Sequence, residues 1–144
     1  MTEPLRRRRL RVAVVDADRR VRDSLAELLE MGDELEVVGR AAHAGGAIEL
    51  CTEQVPDVVV VDPRLPDVDA GRALITELRA RFPDTIVLVL SWPGRDDEHA
   101  AMRALADGFV PKSDAPPELV RRIVELAGHA LERSPSGGRG TIEC

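Results

Sequence analysis

Four consecutive valines, Val58–Val61, are closed by Asp62 and then by Pro63 and Pro66. The run is too short for a helix and apolar on both faces, as a central strand of a parallel sheet covered on both sides would be. Neither strand nor helix continues easily through the prolines. A carboxylate is therefore held at the carboxyl edge of a buried strand, where open α/β sheets bind their ligands. Taken alone, Asp62 is read more readily as a turn residue, a role Asp favours. The rest of the chain has to decide between the two.

Strand and helix signals alternate along the whole chain. A first strand, LRVAVV, ends on Asp16-Ala17-Asp18, and the period turns helical from Arg19, with Val21, Leu25, Leu28 and Leu29 on one face and Gly32 as the stop. Asp18 is placed to cap that helix. A second strand, LEVVGRA, precedes Gly45-Gly46 and a helix over 47–54. After the valine strand, a third helix starts near Asp69 and turns Ala73, Leu74, Leu78 and Phe82 toward the sheet, stopping before Pro83. A fourth strand over 86–90 ends on Ser91. An Ala-rich helix over 95–107 closes at Gly108, and a short strand, Phe109-Val110, leads to Pro111-Lys112. The last helix, 116–131, carries two apolar rows: Leu119, Ile123, Leu126 and Ala130, and beside them Val120, Val124, Ala127 and Leu131. One row is enough to dock on a sheet, so the second either widens the buried face or meets a partner.

Five strand–helix units imply an α/β, doubly wound, five-stranded parallel sheet with five helices and right-handed crossovers. The domain spans 10–132, with a basic extension over 1–9 and a flexible tail over 133–144 rich in Ser and Gly. A formal net charge of −6 speaks against nucleic acid as the main partner, despite the local run of Arg6, Arg7, Arg8, Arg9 and Arg11. No segment approaches membrane-spanning length, and the apolar stretch over 12–15 is too short for a secretory signal. Cys51 falls in phase with Ile48 and Val55 on a helix, which predicts a buried, reduced thiol and a cytoplasmic protein. His43, His99 and His129 show no metal-site spacing.

In such a sheet the carboxyl ends of all strands open on one edge. Asp16 follows the first strand, Asp62 the third, Ser91 the fourth and Lys112 the fifth. Two carboxylates attract a hard divalent cation such as Mg2+, which keeps most of its waters and also takes a phosphate oxygen. An aspartate can attack phosphorus to give an acyl phosphate. A metal, an ammonium and a hydroxyl around the moving phosphoryl group would stabilise its charge.

These residues give the chain its resemblance. VVDAD at the first strand, VVVVDPRLPDVDAG at the third, VLVLS at the fourth and GFVPKSDAPPEL around the fifth resemble receiver domains of bacterial two-component response regulators. The likeness covers roughly 10–131 and is closest to CheY-like receivers that precede a NarL/LuxR-type helix-turn-helix. It implies Asp62 as phosphoacceptor, Asp16 as an acidic metal-site residue and the Arg64 backbone carbonyl as a metal ligand. Asp18 is a further candidate ligand. Ser91 and Lys112 would stabilise the phosphoryl group, and Ser91 and Phe109 would form the switch. The implied donor is a histidine kinase or phosphotransfer protein, with homodimerisation as one output. DNA would be reached only through an effector domain that this chain does not contain. The resemblance implies a phosphoacceptor signalling domain rather than an enzyme.

Three positions depart from the family pattern. Ala17 stands where a second acid normally contacts the metal, which predicts weak Mg2+ binding. Trp92, followed by Pro93, replaces a small residue after the hydroxyl, and Asp69-Ala70-Gly71 replaces Asp-Gly. Ala17 and Trp92 motivate an alternative, an atypical receiver that acts as a phosphorylation-independent interaction module. A flavodoxin-like or nucleotide-binding enzyme would cradle phosphates on a Gly-rich first turn, and DADRRVRDS has no glycine.

Overall fold

The computed structural model of the chain describes residues 9–91, 105–111 and 116–133. Its strands are β1 (Leu10–Val15), β2 (Leu35–Ala41), β3 (Val58–Val61), β4 (Ile86–Ser91) and β5 (Gly108–Pro111). The described helices are α1 (Arg19–Leu29), α2 (Ala44–Gln54), α3 (Val68–Arg81) and α4 (Pro116–Arg133). The strands form one sheet in the order β2-β1-β3-β4-β5, parallel throughout. The chain order reverses between β1 and β3, so the edge beyond those two strands is the switch point where such sheets bind ligands.

The valine strand shows how period-two geometry builds two cores from one run. Val58 and Val60 join Val12, Val14, Leu88 and Leu90 in a cluster closed by Leu25 and Leu29 of α1 and Leu119 and Ile123 of α4. Val59 and Val61 face the other way, with Val15, Val87 and Val89, against Cys51 of α2 and Leu74, Ile75 and Leu78 of α3. Successive side chains of a strand point to opposite faces, so an unbroken β-branched run fits only between two helical layers.

Tertiary packing changes several local expectations. In α3 the buried positions are Gly71, Leu74, Ile75 and Leu78, whereas Ala73 is exposed and Phe82 half-buried. That helix begins at Val68, where the Asp67 side chain accepts the Ala70 N–H. The glycines expected ahead of α2 lie inside its first turn, which starts at Ala44 because the His43 ring nitrogen accepts the Gly46 N–H at 3.0 Å. Val55 is not in phase with buried Cys51. It ends α2 in the left-handed conformation (φ 45°) and is 61% exposed.

Gly108 opens β5 instead of closing a helix. Asp107 is drawn onto β4, its N–H bonding the Val87 carbonyl and its carboxylate accepting the Val87 N–H, each at 2.8 Å. Most of the helix expected over 95–107 lies outside the described residues; of 105–107, which lie within them, Leu105 is helical. The two rows of the last helix merge into one broad face. Leu119, Ile123 and Ala127 are buried, and Val120, Val124 and Leu126 are half-buried against the same core. The side chains of Ala130 and Leu131 lie outside the described residues.

Candidate functional site

Register brings the two carboxylates of the site together. β1 and β3 pair with Val15 opposite Val61, so Asp16 and Asp62 are the next residues on neighbouring strands. The Asp62 N–H continues the ladder onto the Val15 carbonyl at 3.0 Å, and the Asp16 N–H bonds the Ala41 carbonyl of β2 at 3.1 Å. Both acids are thus held by the sheet itself at its carboxyl edge. Asp16 is only 3% exposed, the most buried charged residue among those described, while Asp62 is half-buried.

Each carboxylate also organises the loop that follows it. Asp62 Oδ1 accepts the Arg64 N–H at 2.9 Å, a turn in which the side chain replaces a backbone acceptor. Pro63 and Leu65 anchor that loop in the core. Asp16 Oδ1 accepts the Asp18 N–H at 2.9 Å. Asp18 Oδ1 in turn accepts the N–H groups of Arg20 and Val21, at 2.9 and 3.2 Å, and so caps α1.

The sequence reading passed over Arg22. Its guanidinium reaches back from α1 to donate to the Asp16 carbonyl oxygen at 2.9 Å. A signal was available, because Arg22 lies four residues before buried Ala26 and seven before buried Leu29, in the phase of the core. An arginine in that phase at the top of a helix has to find an acceptor near the strand end.

The donor set suits a hard cation in kind and is small in number. Asp16 and Asp62 provide carboxylates, the resemblance adds the Arg64 carbonyl, and Ala17 is exposed with no donor side chain. Among the described residues no group of three or more His, Cys, Asp or Glu side chains gathers as a metal site. Two carboxylates and a carbonyl match Mg2+, which completes its octahedron with water. Ser91 ends β4 opposite Pro111 of β5, and Phe109 is half-buried, level with Val89 and packed on the α2/α3 side of the sheet. Lys112 and Trp92 lie outside the described residues.

A doubly wound five-stranded sheet with paired acids at its switch point defines a CheY-like α/β domain. The family model of the response regulator receiver domain matches residues 12–124, and the chain belongs to that family, the receiver domains of two-component response regulators. It is 36% identical over 124 residues to the DNA-binding transcriptional activator DevR/DosR of Mycobacterium tuberculosis, which covers 85% of this chain and 57% of that protein. It is 34% identical over 145 residues to protein-glutamate methylesterase/protein-glutamine glutaminase 6 of Anaeromyxobacter dehalogenans, covering 96% of this chain and 41% of the relative. Among solved structures it resembles a LuxR-family response regulator from Aurantimonas, at a TM-score of 0.74 and 32% identity over 84% of this chain and 86% of that one. The signal receiver domain of NarL from Mycobacterium tuberculosis is similar too, at a TM-score of 0.75 and 27% identity over 85% and 98%. The chain spans about half the length of the curated relatives it matches. Among the described residues no helix is long and apolar enough to cross a membrane.

Proposed function

We propose that Asp62 is the phosphoacceptor of this receiver and that its modification switches a surface on the β5 and α4 side of the domain. The observation that carries the reading is the pairing of Val15 with Val61, which sets Asp62 beside buried Asp16 at the switch point. A carboxylate oxygen of Asp62 attacks phosphorus, the bond to the donor's leaving atom breaks, and that atom keeps the electron pair and takes a proton. The incoming group adds negative charge beside Asp16, so the step needs compensating positive charge. Mg2+, when bound by Asp16, Asp62 and the Arg64 carbonyl, supplies part of it. In this reading Lys112 pairs with the phosphoryl oxygens and Ser91 donates to them. Phe109 then turns toward the space that Ser91 leaves.

The phosphoryl donor is a histidine kinase or phosphotransfer protein. The chemistry of this chain ends at its own acyl phosphate, and catalytic or DNA-binding output belongs to other domains, as the names of the relatives suggest. Buried, reduced Cys51 suits the cytoplasm. The half-buried residues of α4 suit a dimer contact biased by phosphorylation. Intact-mass analysis after incubation with Mg2+ and a small phosphodonor tests the acceptor. The unaltered chain gains one phosphoryl mass and Asp62→Asn gains none. Phosphorylation that persists in Asp62→Asn defeats the assignment.

A further inference from the structure

We infer that Arg22 is a positioning residue for the acidic pair, a clamp on the peptide of Asp16; this rests on the phosphoacceptor reading above. Asp16 begins the loop that joins β1 to α1, and bonds at its N–H, its Oδ1 and its carbonyl bear on its orientation. Its N–H is held by the Ala41 carbonyl, its Oδ1 takes the Asp18 N–H, and its carbonyl takes the Arg22 guanidinium. The first belongs to the sheet and the second is internal to the loop. The Arg22 bond ties the first peptide of the loop to α1, as the Asp18 cap ties its last residue.

The direction of the clamp matters. A peptide plane rotates as a unit, so fixing the Asp16 carbonyl also fixes the N–H of residue 17 and the torsion from which the Asp16 carboxylate projects. Ala17 offers no side-chain donor or acceptor of its own to steady this loop and is exposed. Asp18 is engaged at the helix N-terminus through Oδ1. Arg22 and its bond are half-buried, so a charged donor here holds more firmly than one fully at the surface. Groups that orient a ligating carboxylate without touching the metal typically change affinity by about ten- to a hundredfold when removed.

Arg22 also sets a positive charge against the backbone of Asp16. Were charge compensation its main role, removing it would deepen the negative potential and tighten cation binding. Were positioning its main role, removal would let the Asp16 carboxylate wander and loosen cation binding. The bond from Arg22 to the Asp16 peptide favours positioning, and the two roles predict opposite signs.

The test uses the unaltered chain, Arg22→Ala and Arg22→Lys, each first shown to be folded by urea titration. Backbone amide spectra report Mg2+ binding at residues 16–18, 62 and 64, and hydrogen exchange of the Asp18 amide reports loop order without any metal. The expected result for Arg22→Ala is Mg2+ affinity weaker by about tenfold and Asp18 exchange faster by a similar factor. Arg22→Lys keeps a charged donor and should recover most of both. Unchanged or tighter Mg2+ binding in Arg22→Ala, or an unchanged Asp18 exchange rate, overturns the clamp. So does equal loss in Arg22→Lys and Arg22→Ala. Phosphate uptake by the unaltered chain is measured alongside. A chain that takes up none tells against Asp62 as acceptor, while the clamp is judged on exchange and Mg2+ titration alone.

Discussion

Gly71→Ala should destabilise the fold strongly, although alanine is the better helix former. Gly71 is buried in the first turn of α3, its N–H bonded to the Asp67 carbonyl. A Cβ at this position would stand 2.5 Å from the carbonyl carbon of Pro63 and 2.9 Å from its Cα, and closer still to its oxygen. Carbon atoms in good contact sit about 3.5–4.0 Å apart, so backbone must move by roughly 1 Å. No rotamer change relieves the overlap, because both partners are main chain, and Pro63 itself is buried. Overpacking of this kind costs about 1–3 kcal/mol, and a rigid backbone partner puts the site at the upper end. Helix propensity returns about 1 kcal/mol, leaving a net loss of about 2 kcal/mol. At a urea dependence of about 2 kcal/mol per molar, the unfolding midpoint should fall by roughly 1 M. Gly128→Ala in α4 is the matched control, since a Cβ there meets nothing within 4 Å. Its midpoint should hold or rise by up to about 0.5 M. A Gly71→Ala midpoint equal to or above that of the unaltered chain would refute the reasoning. Because Pro63 follows Asp62, the same variant should also slow phosphate uptake at a urea-free, fully folded condition.

Three further outcomes are expected. Ala17→Asp restores an acid at an exposed loop position, so Mg2+ titration followed by amide spectra should show affinity tighter by about tenfold or more, while metal-free stability falls through carboxylate repulsion; equal affinities would mean that another group already completes the site. Burial pushes the Cys51 thiol up from 9.0 to about 11. A folded pKa above the unfolded one means that this contribution is whole below about pH 9 and is lost as pH rises through about 11; the loss approaches roughly 3 kcal/mol, and Cys51→Ala should flatten that alkaline slope in urea titrations. Val55→Gly should raise stability by about 1 kcal/mol, because a β-branched residue at φ 45° is strained and its exposed side chain gives up little burial; a lowered urea midpoint would count against it.

Leu10–Val15, Leu35–Ala41 and Val58–Val61 could be bounded from sequence because their signals are local. The first and third end on an Asp and the second is built around Val37-Val38, and no distant residue is needed to read them. The same holds for Asp18 as a cap, where a short acid meets the first free N–H groups of a helix. Once the alternation implied a parallel sheet, shared polarity of the strands was enough to send Asp16 and Asp62 to one edge. Strand order then made them neighbours, and that step needed the tertiary structure.

What the sequence could not decide depends on contacts between segments far apart in the chain. Ile75 takes the buried place expected for Ala73 because the face of α3 is set by where Pro63 and Gly71 touch, not by periodicity alone. Val55 leaves the apolar face because α2 has to turn back toward β3, and the Arg11 side chain reaches across to bond the carbonyls of Gln54 and Val55. The phase of Arg22 points it toward the core side of α1, but its acceptor, the Asp16 carbonyl, is known only once the strand end is placed beside it. Periodicity records which residues prefer to leave water. Only packing records which backbone atoms they meet when they do, and a bond, an overlap or a register is a property of that meeting.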